Sequence, residues 1–115
     1  MRNPISKTTR RAPRQGRRAA APSLRYENWL IARLKDPAEA AAYLEAVIEE
    51  GDQAALMLAL RQVALARGGI AQIARKAKLT REATYKMLSR SGNPELRSLA
   101  SVLEATGLRI AVKPL

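Results

Sequence analysis

The chain has 115 residues, 21 of them Lys or Arg and 10 Asp or Glu, with no His and no Cys, and a formal net charge of +11. Such a length supports one small domain, and 47% hydrophobic residues exclude a wholly disordered chain, while an aromatic share of 3% without Phe demands a core of Ala, Leu, Ile and Val. Lacking Cys and His, the chain has no disulfide framework, no usual zinc or haem ligand set, no thiol nucleophile and no neutral-pH proton shuttle.

From Met1 to about Ser23 the sequence mixes Arg, Pro, Gly, Ala and Thr with Ile5 as its one large apolar side chain, too little to offset the entropy of ordering. Residues 1–24 are therefore expected to form a basic, disordered tail. Tyr26, Trp29, Leu30, Arg33 and Leu34 then mark a short helical stripe that stops near Lys35, ahead of Asp36-Pro37. Asp36 reads as the cap of the next helix, Pro37 as its first residue and Glu39 as a capping-box acid. That helix presents Ala40, Tyr43, Leu44, Val47 and Ile48 on its apolar face and Glu45, Glu49 and Glu50 outside it, and Gly51 provides a left-handed stop.

Asp52 caps a third helix with the stripe Leu56, Leu60, Val63 and Ala64, which Gly68-Gly69 interrupts. Ile70, Ile73, Ala74 and Ala77 share one face of a fourth. Thr84, Met87 and Leu88 share one face of a fifth, capped by Thr80. A sixth is predicted to start at Asn93-Pro94, to bury Leu96, Leu99, Ala100 and Leu103, and to stop at Gly107. Leu108 to Lys113 alternate like a half-buried strand, and a lone strand needs a partner edge. Leu108, Ile110 and Val112 are therefore expected to pair across a dimer or on a partner's sheet, the alternative being an extension draped over the core. The expected fold class is all-α, with five to six helices and this terminal strand.

Charge is blocked along the chain. Residues 1–25 hold eight bases and no acid, 26–66 hold three bases against seven acids, and 67–97 hold eight bases against two acids. Two different surfaces follow, one suited to a polyanion. The basic block contains two short helices joined by Lys78-Leu79, with small Ala74 and Ala77 where they would cross, which is a helix-turn-helix pattern. At 100° per residue, burying Thr84 turns Glu82, Tyr85, Lys86 and Ser89 outward, flanked by Arg81 and Arg90. Arg81 suits guanine O6 and N7, Lys86 guanine or phosphate, and Tyr85 a thymine methyl or a phosphate. Glu82 either accepts from cytosine N4 or only complements the positive end of its own helix. Gln72, Thr80 and Arg90 are placed for phosphate oxygens.

Three stretches, ENWLIARLKDPAEAAAYLEAVIEEGD at 27–52, IAQIARKAKLTREATYKMLS at 70–89 and GNPELRSLASVLEATGLRI at 92–110, together resemble the addiction-module antidote (antitoxin) proteins with a Cro/repressor-type helix-turn-helix. The resemblance implies a dimeric protein that neutralises a toxin of the RelE/ParE superfamily, typically an mRNA-cleaving, ribosome-dependent nuclease, and represses its own operon on double-stranded DNA. The expected organisation is N-terminal helices over 25–51 as a possible toxin-binding segment, a helix-turn-helix DNA-binding domain over 52–107 and the strand over 108–115. The chain departs from the family in having Lys78 where glycine is usual, so either Lys78 is strained in a left-handed conformation or the turn differs. The basic tail is a second departure, read as a DNA-embracing arm, a solubilising extension or a misassigned start.

Charge complementarity assigns the toxin to the acidic block, with Trp29, Leu30 and Leu34 as apolar anchors and Glu45 and Glu49 as rim charges; the plainer alternative packs Trp29 onto the core. No cofactor, metal or small-molecule substrate is expected, and no constellation points to an enzyme. Apolar runs are too short for a bilayer span and no signal-peptide core follows Met1, so the expected compartment is the cytoplasm. The competing reading is a small basic nucleoid- or ribosome-associated protein that binds nucleic acid nonspecifically.

Overall fold

In the computed structural model, which describes residues 17–115 and their side chains from Leu24 onward, six helices succeed one another. They are α1 (Arg17–Arg33), α2 (Pro37–Glu50), α3 (Gln53–Ala66), α4 (Ile70–Ala77), α5 (Arg81–Met87) and α6 (Leu96–Ala105). The all-helical expectation stands, but among the described residues there is no strand. Helix α1 begins inside the segment read as tail, where the high helix propensity of Arg17 to Ala21 outweighs its lack of apolar side chains. The tail proper, residues 1–16, lies outside the described residues. The chain divides between Ala32 and Arg33 into two compact units. Helix α2 lies in the second unit, with the helices after it.

Local chemistry sets most of the helix ends. Asp36 is extended and its carboxylate accepts from the Ala38 amide at 2.9 Å, with Pro37 opening α2. The capping box is not completed: the Asp36 amide donates to the Arg33 carbonyl at 3.1 Å, and Glu39 takes the Arg33 guanidinium at 2.7 Å instead. Gly51 closes α2 at φ 78°, and the Asp52 carboxylate accepts from the Ala55 amide at 3.2 Å to begin α3.

Within Arg33–Leu115, α2 packs against α3, and α4 packs against α3, α5 and α6. Ala40 and Leu44 bury one side of α2, and the Tyr43 hydroxyl donates to Oε1 of the buried Gln62 on α3 at 2.6 Å. Ile48 was expected on this buried side but is 58% exposed. Leu34, Val63, Ile73, Leu88 and Val102 are the largest wholly buried apolar side chains, drawn from the α1–α2 link, α3, α4, the end of α5 and α6.

Helix α4 ends at Lys78, whose φ of 61° and ψ of 39° place it in the left-handed region, the one non-glycine residue there among those described. The Leu79 amide reaches back to the Ala74 carbonyl at 2.9 Å, closing a Schellman turn. Of the two readings of Lys78, the left-handed one holds. Glycine adopts this conformation without the Cβ clash, so Lys78→Gly is expected to stabilise the domain by about 1 kcal/mol, raising the thermal midpoint by roughly 4–8 °C. A circular dichroism melt with an unchanged or lower midpoint would contradict strain at Lys78.

The last two elements depart from expectation. Helix α6 starts at Leu96 with Glu95 in the cap position, not at Asn93-Pro94. Asn93 is drawn instead toward Gln53, whose Nε2 donates to the Gly92 carbonyl at 2.8 Å and lies 3.5 Å from Asn93 Oδ1. Leu96, expected to be buried, is 70% exposed in the first turn. After α6, Gly107 turns left-handed at φ 92° and the Leu108 amide donates to the Leu103 carbonyl at 2.9 Å. Residues 108–115 carry no regular structure, because a strand needs an edge to pair with and the fold supplies only helices. Leu108 is half-buried at the helix end, Ile110 and Val112 are exposed, and Lys113 meets Glu45 at 3.4 Å.

Candidate nucleic-acid interface

Helix α5 is built to show one flank. The Thr80 hydroxyl accepts from the Ala83 amide at 3.0 Å, capping the first turn. Thr84 is wholly buried, and its hydroxyl is satisfied by the Thr80 carbonyl at 2.8 Å. Met87 and Leu88 are buried beside it. With these three turned inward, Thr80, Arg81, Glu82, Tyr85, Lys86 and Arg90 are exposed, while Gln72 and Ser89 are half-buried.

The outward groups differ in how free they are. The Arg81 guanidinium carbon lies 5.9 Å from the Tyr85 ring centroid, an arrangement that steadies both side chains. Ser89 donates its hydroxyl proton to the Lys86 carbonyl at 2.8 Å and so serves the end of α5. Gln72 reaches over Gly68, close enough that a Cβ at that position would lie 2.8 Å from its Oε1. Arg75, Lys76 and Lys78 are exposed on α4 and its exit, extending the cationic surface, and neither salt bridge among the described residues involves any of these bases.

Two arginines that sequence reading passed over hold this arrangement together. Arg61 of α3 donates from Nε at 3.1 Å and from Nη2 at 2.9 Å to the Leu88 carbonyl, tying the end of α5 to α3. A cation there also complements the negative end of the helix. Arg67 donates from Nε to the Thr106 carbonyl at 2.7 Å, at the end of α6, and from Nη1 to the Lys35 carbonyl. The available signal was that Arg61 is the one charged residue in the otherwise apolar and neutral α3.

Residues 27–114 match the sequence pattern of a family described as probable addiction module antidote protein. The chain belongs to this family. An uncharacterized protein of Haemophilus influenzae is 37% identical over 71 residues, covering 62% of this chain and 72% of that protein. No solved structure matches the chain. The family match takes in α2 to α6 entire, including every outward residue of α5, and leaves the basic segment before Glu27 outside.

The residues assigned from sequence to a toxin-binding surface fall in both units and differ in exposure. Leu34 is 1% exposed, in the core of the Arg33–Leu115 unit, and Leu30 on α1 is 6% exposed. Trp29 is 53% exposed and tilted against Tyr26 with ring centroids 5.9 Å apart. Glu45 and Glu49 are exposed on α2. Among the described residues, no single helix is long and apolar enough to cross a membrane.

Proposed function

We propose that this chain is the antitoxin of a type II toxin–antitoxin pair. It neutralises a RelE/ParE-like toxin by direct binding and represses its own operon as a homodimer, with α4 and α5 acting as a helix-turn-helix on double-stranded DNA. The observation that carries the DNA half is the exposed flank of α5, where Arg81, Tyr85 and Lys86 project from a helix held by its Thr80 cap, its buried Thr84 and the Arg61 clamp. In this reading Arg81 contacts a guanine edge, Lys86 a base or phosphate, and Thr80, Gln72 and Arg90 the backbone. Glu82 is exposed in the first turn of α5, where it complements the helix dipole whether or not it meets cytosine. Family membership supports the toxin half. The acidic face of α2 offers a nuclease's basic surface a complementary charge.

The test is fluorescence anisotropy on a duplex taken from upstream of the chain's own gene and on a scrambled duplex, across a salt series. Operator preference is expected to survive added salt. Arg81→Ala is expected to weaken operator binding by about 10–100-fold with little effect on the scrambled duplex. Lys86→Ala, if it loses a phosphate contact, weakens both and lowers the salt slope by about one. Equal affinity for both duplexes at every salt concentration would replace this reading with nonspecific nucleic-acid coating.

A further inference from the structure

Helix α2 finishes on Val47, Ile48, Glu49 and Glu50, and Asp52 follows as the cap of α3. The carbonyl end of a helix favours cations, yet no base occupies the last turn of α2 or any position between Pro37 and Glu50. Beside this acidic end opens a cleft of about 300 Å³. Its walls are Val47 and Ile48 from α2, Leu56 from α3, Pro94 from the loop after α5 and Leu99 from α6, and Asp52 is the one ionisable side chain among its lining residues. Ile48 stands at this cleft 58% exposed, a β-branched apolar side chain left in water at the acidic end of its helix.

We propose that this cleft is the docking site for a basic, apolar-tipped segment of the cognate toxin. One large apolar side chain of the partner enters between Ile48, Leu56 and Leu99, and flanking Lys or Arg side chains pair with Glu49, Glu50 and Asp52. The inference rests on the antitoxin reading and gives its partner a place within the Arg33–Leu115 unit. Charge selects the occupant. Carboxylates at Glu49, Glu50 and Asp52 beside an apolar cleft favour a cationic, apolar-tipped segment. A second copy of this chain, meeting the cleft through an isologous two-fold contact, would set one acidic helix end against the other.

The experiment uses the full chain and the protein encoded by the adjoining reading frame, with affinity measured by calorimetric titration. Ile48→Lys and Glu50→Lys each put a cation where the proposal needs an apolar or anionic group, at exposed positions that leave the fold intact. Wild-type binding is expected to weaken with added salt. Each variant is expected to lose at least about tenfold in toxin affinity while keeping operator affinity and a melting midpoint no lower than wild type, Glu50→Lys if anything raising it. Undiminished toxin affinity in both variants overturns the docking site and leaves the antitoxin reading standing. Failure of the wild-type chain to bind the adjoining gene's product overturns both. Loss of self-association in sedimentation of Ile48→Lys, with toxin affinity intact, assigns the cleft to a second copy and overturns the proposal.

Discussion

Gly92→Ala is expected to be among the most damaging single substitutions in the protein, costing on the order of 3 kcal/mol and lowering the thermal midpoint by roughly 10–20 °C. A Cβ at this position would lie 1.9 Å from the Met87 carbonyl oxygen, 2.8 Å from its carbon and 3.0 Å from the Ser89 carbonyl oxygen. All three are backbone atoms at the end of α5, and no rotamer change moves them aside. The glycine amide also donates to the Ser89 carbonyl at 2.8 Å, and its own carbonyl accepts from Gln53. Relieving the clash therefore means breaking the turn that ends α5. Gly51→Ala is the control, because nothing lies within 4 Å of its Cβ position and only the left-handed φ of 78° opposes it, a penalty of about 1 kcal/mol. Thermal melts of the two variants should differ clearly; equal midpoints would mean that the close approach at Gly92 is not maintained in solution.

Arg61→Gln is expected to separate the geometry of α5 from its charge. The guanidinium makes two charge-assisted hydrogen bonds to one carbonyl, and such bonds contribute roughly 1.5–3 kcal/mol each where the partner would otherwise go unsatisfied. Because both bonds share the Leu88 oxygen, a total near the value for one is expected. Arg61 is half-buried with its donors turned to α5, so in the proposed repressor its effect on DNA binding passes through the helix it holds. Operator affinity should fall by about tenfold while the salt slope stays unchanged, since the slope counts phosphate contacts. Arg61→Lys, which keeps one donor and the charge, should recover part of the loss. A slope reduced by about one in Arg61→Gln would instead place Arg61 on the phosphate backbone and remove its positioning role.

The readings that succeeded from sequence share one physical feature, a range of three or four residues. Asp36, Asp52 and Thr80 cap helices because each side chain reaches an amide two or three positions ahead. Gly51 and Gly107 end helices through their own φ, whereas Lys78 is singled out by the resemblance, which has glycine there, and the structure settles its left-handed conformation. The outward flank of α5 follows from helical periodicity once Thr84 is placed inside. Where a side chain was judged by local pattern alone but its fate depended on a distant element, the outcome differed. Leu34 has the composition of an anchor and lies in the core, while Ile48 and Leu96 have the composition of core and face solvent.

By itself, then, the sequence determined the helical class, the helix ends that a nearby side chain or a glycine can close, and the polar character of the α5 flank, because these depend on torsion angles and hydrogen bonds within a single turn. Only the tertiary structure decided that Arg61 and Arg67 meet carbonyls 27 and 39 residues away, that Gln53 draws Gly92 and Asn93 into a loop ahead of α6, and that residues 108–115 stay without a ladder. Each of those outcomes turns on which groups the packed helices leave within hydrogen-bonding reach. That is a property of the assembled unit from Arg33 to Leu115, which no window of neighbouring residues contains.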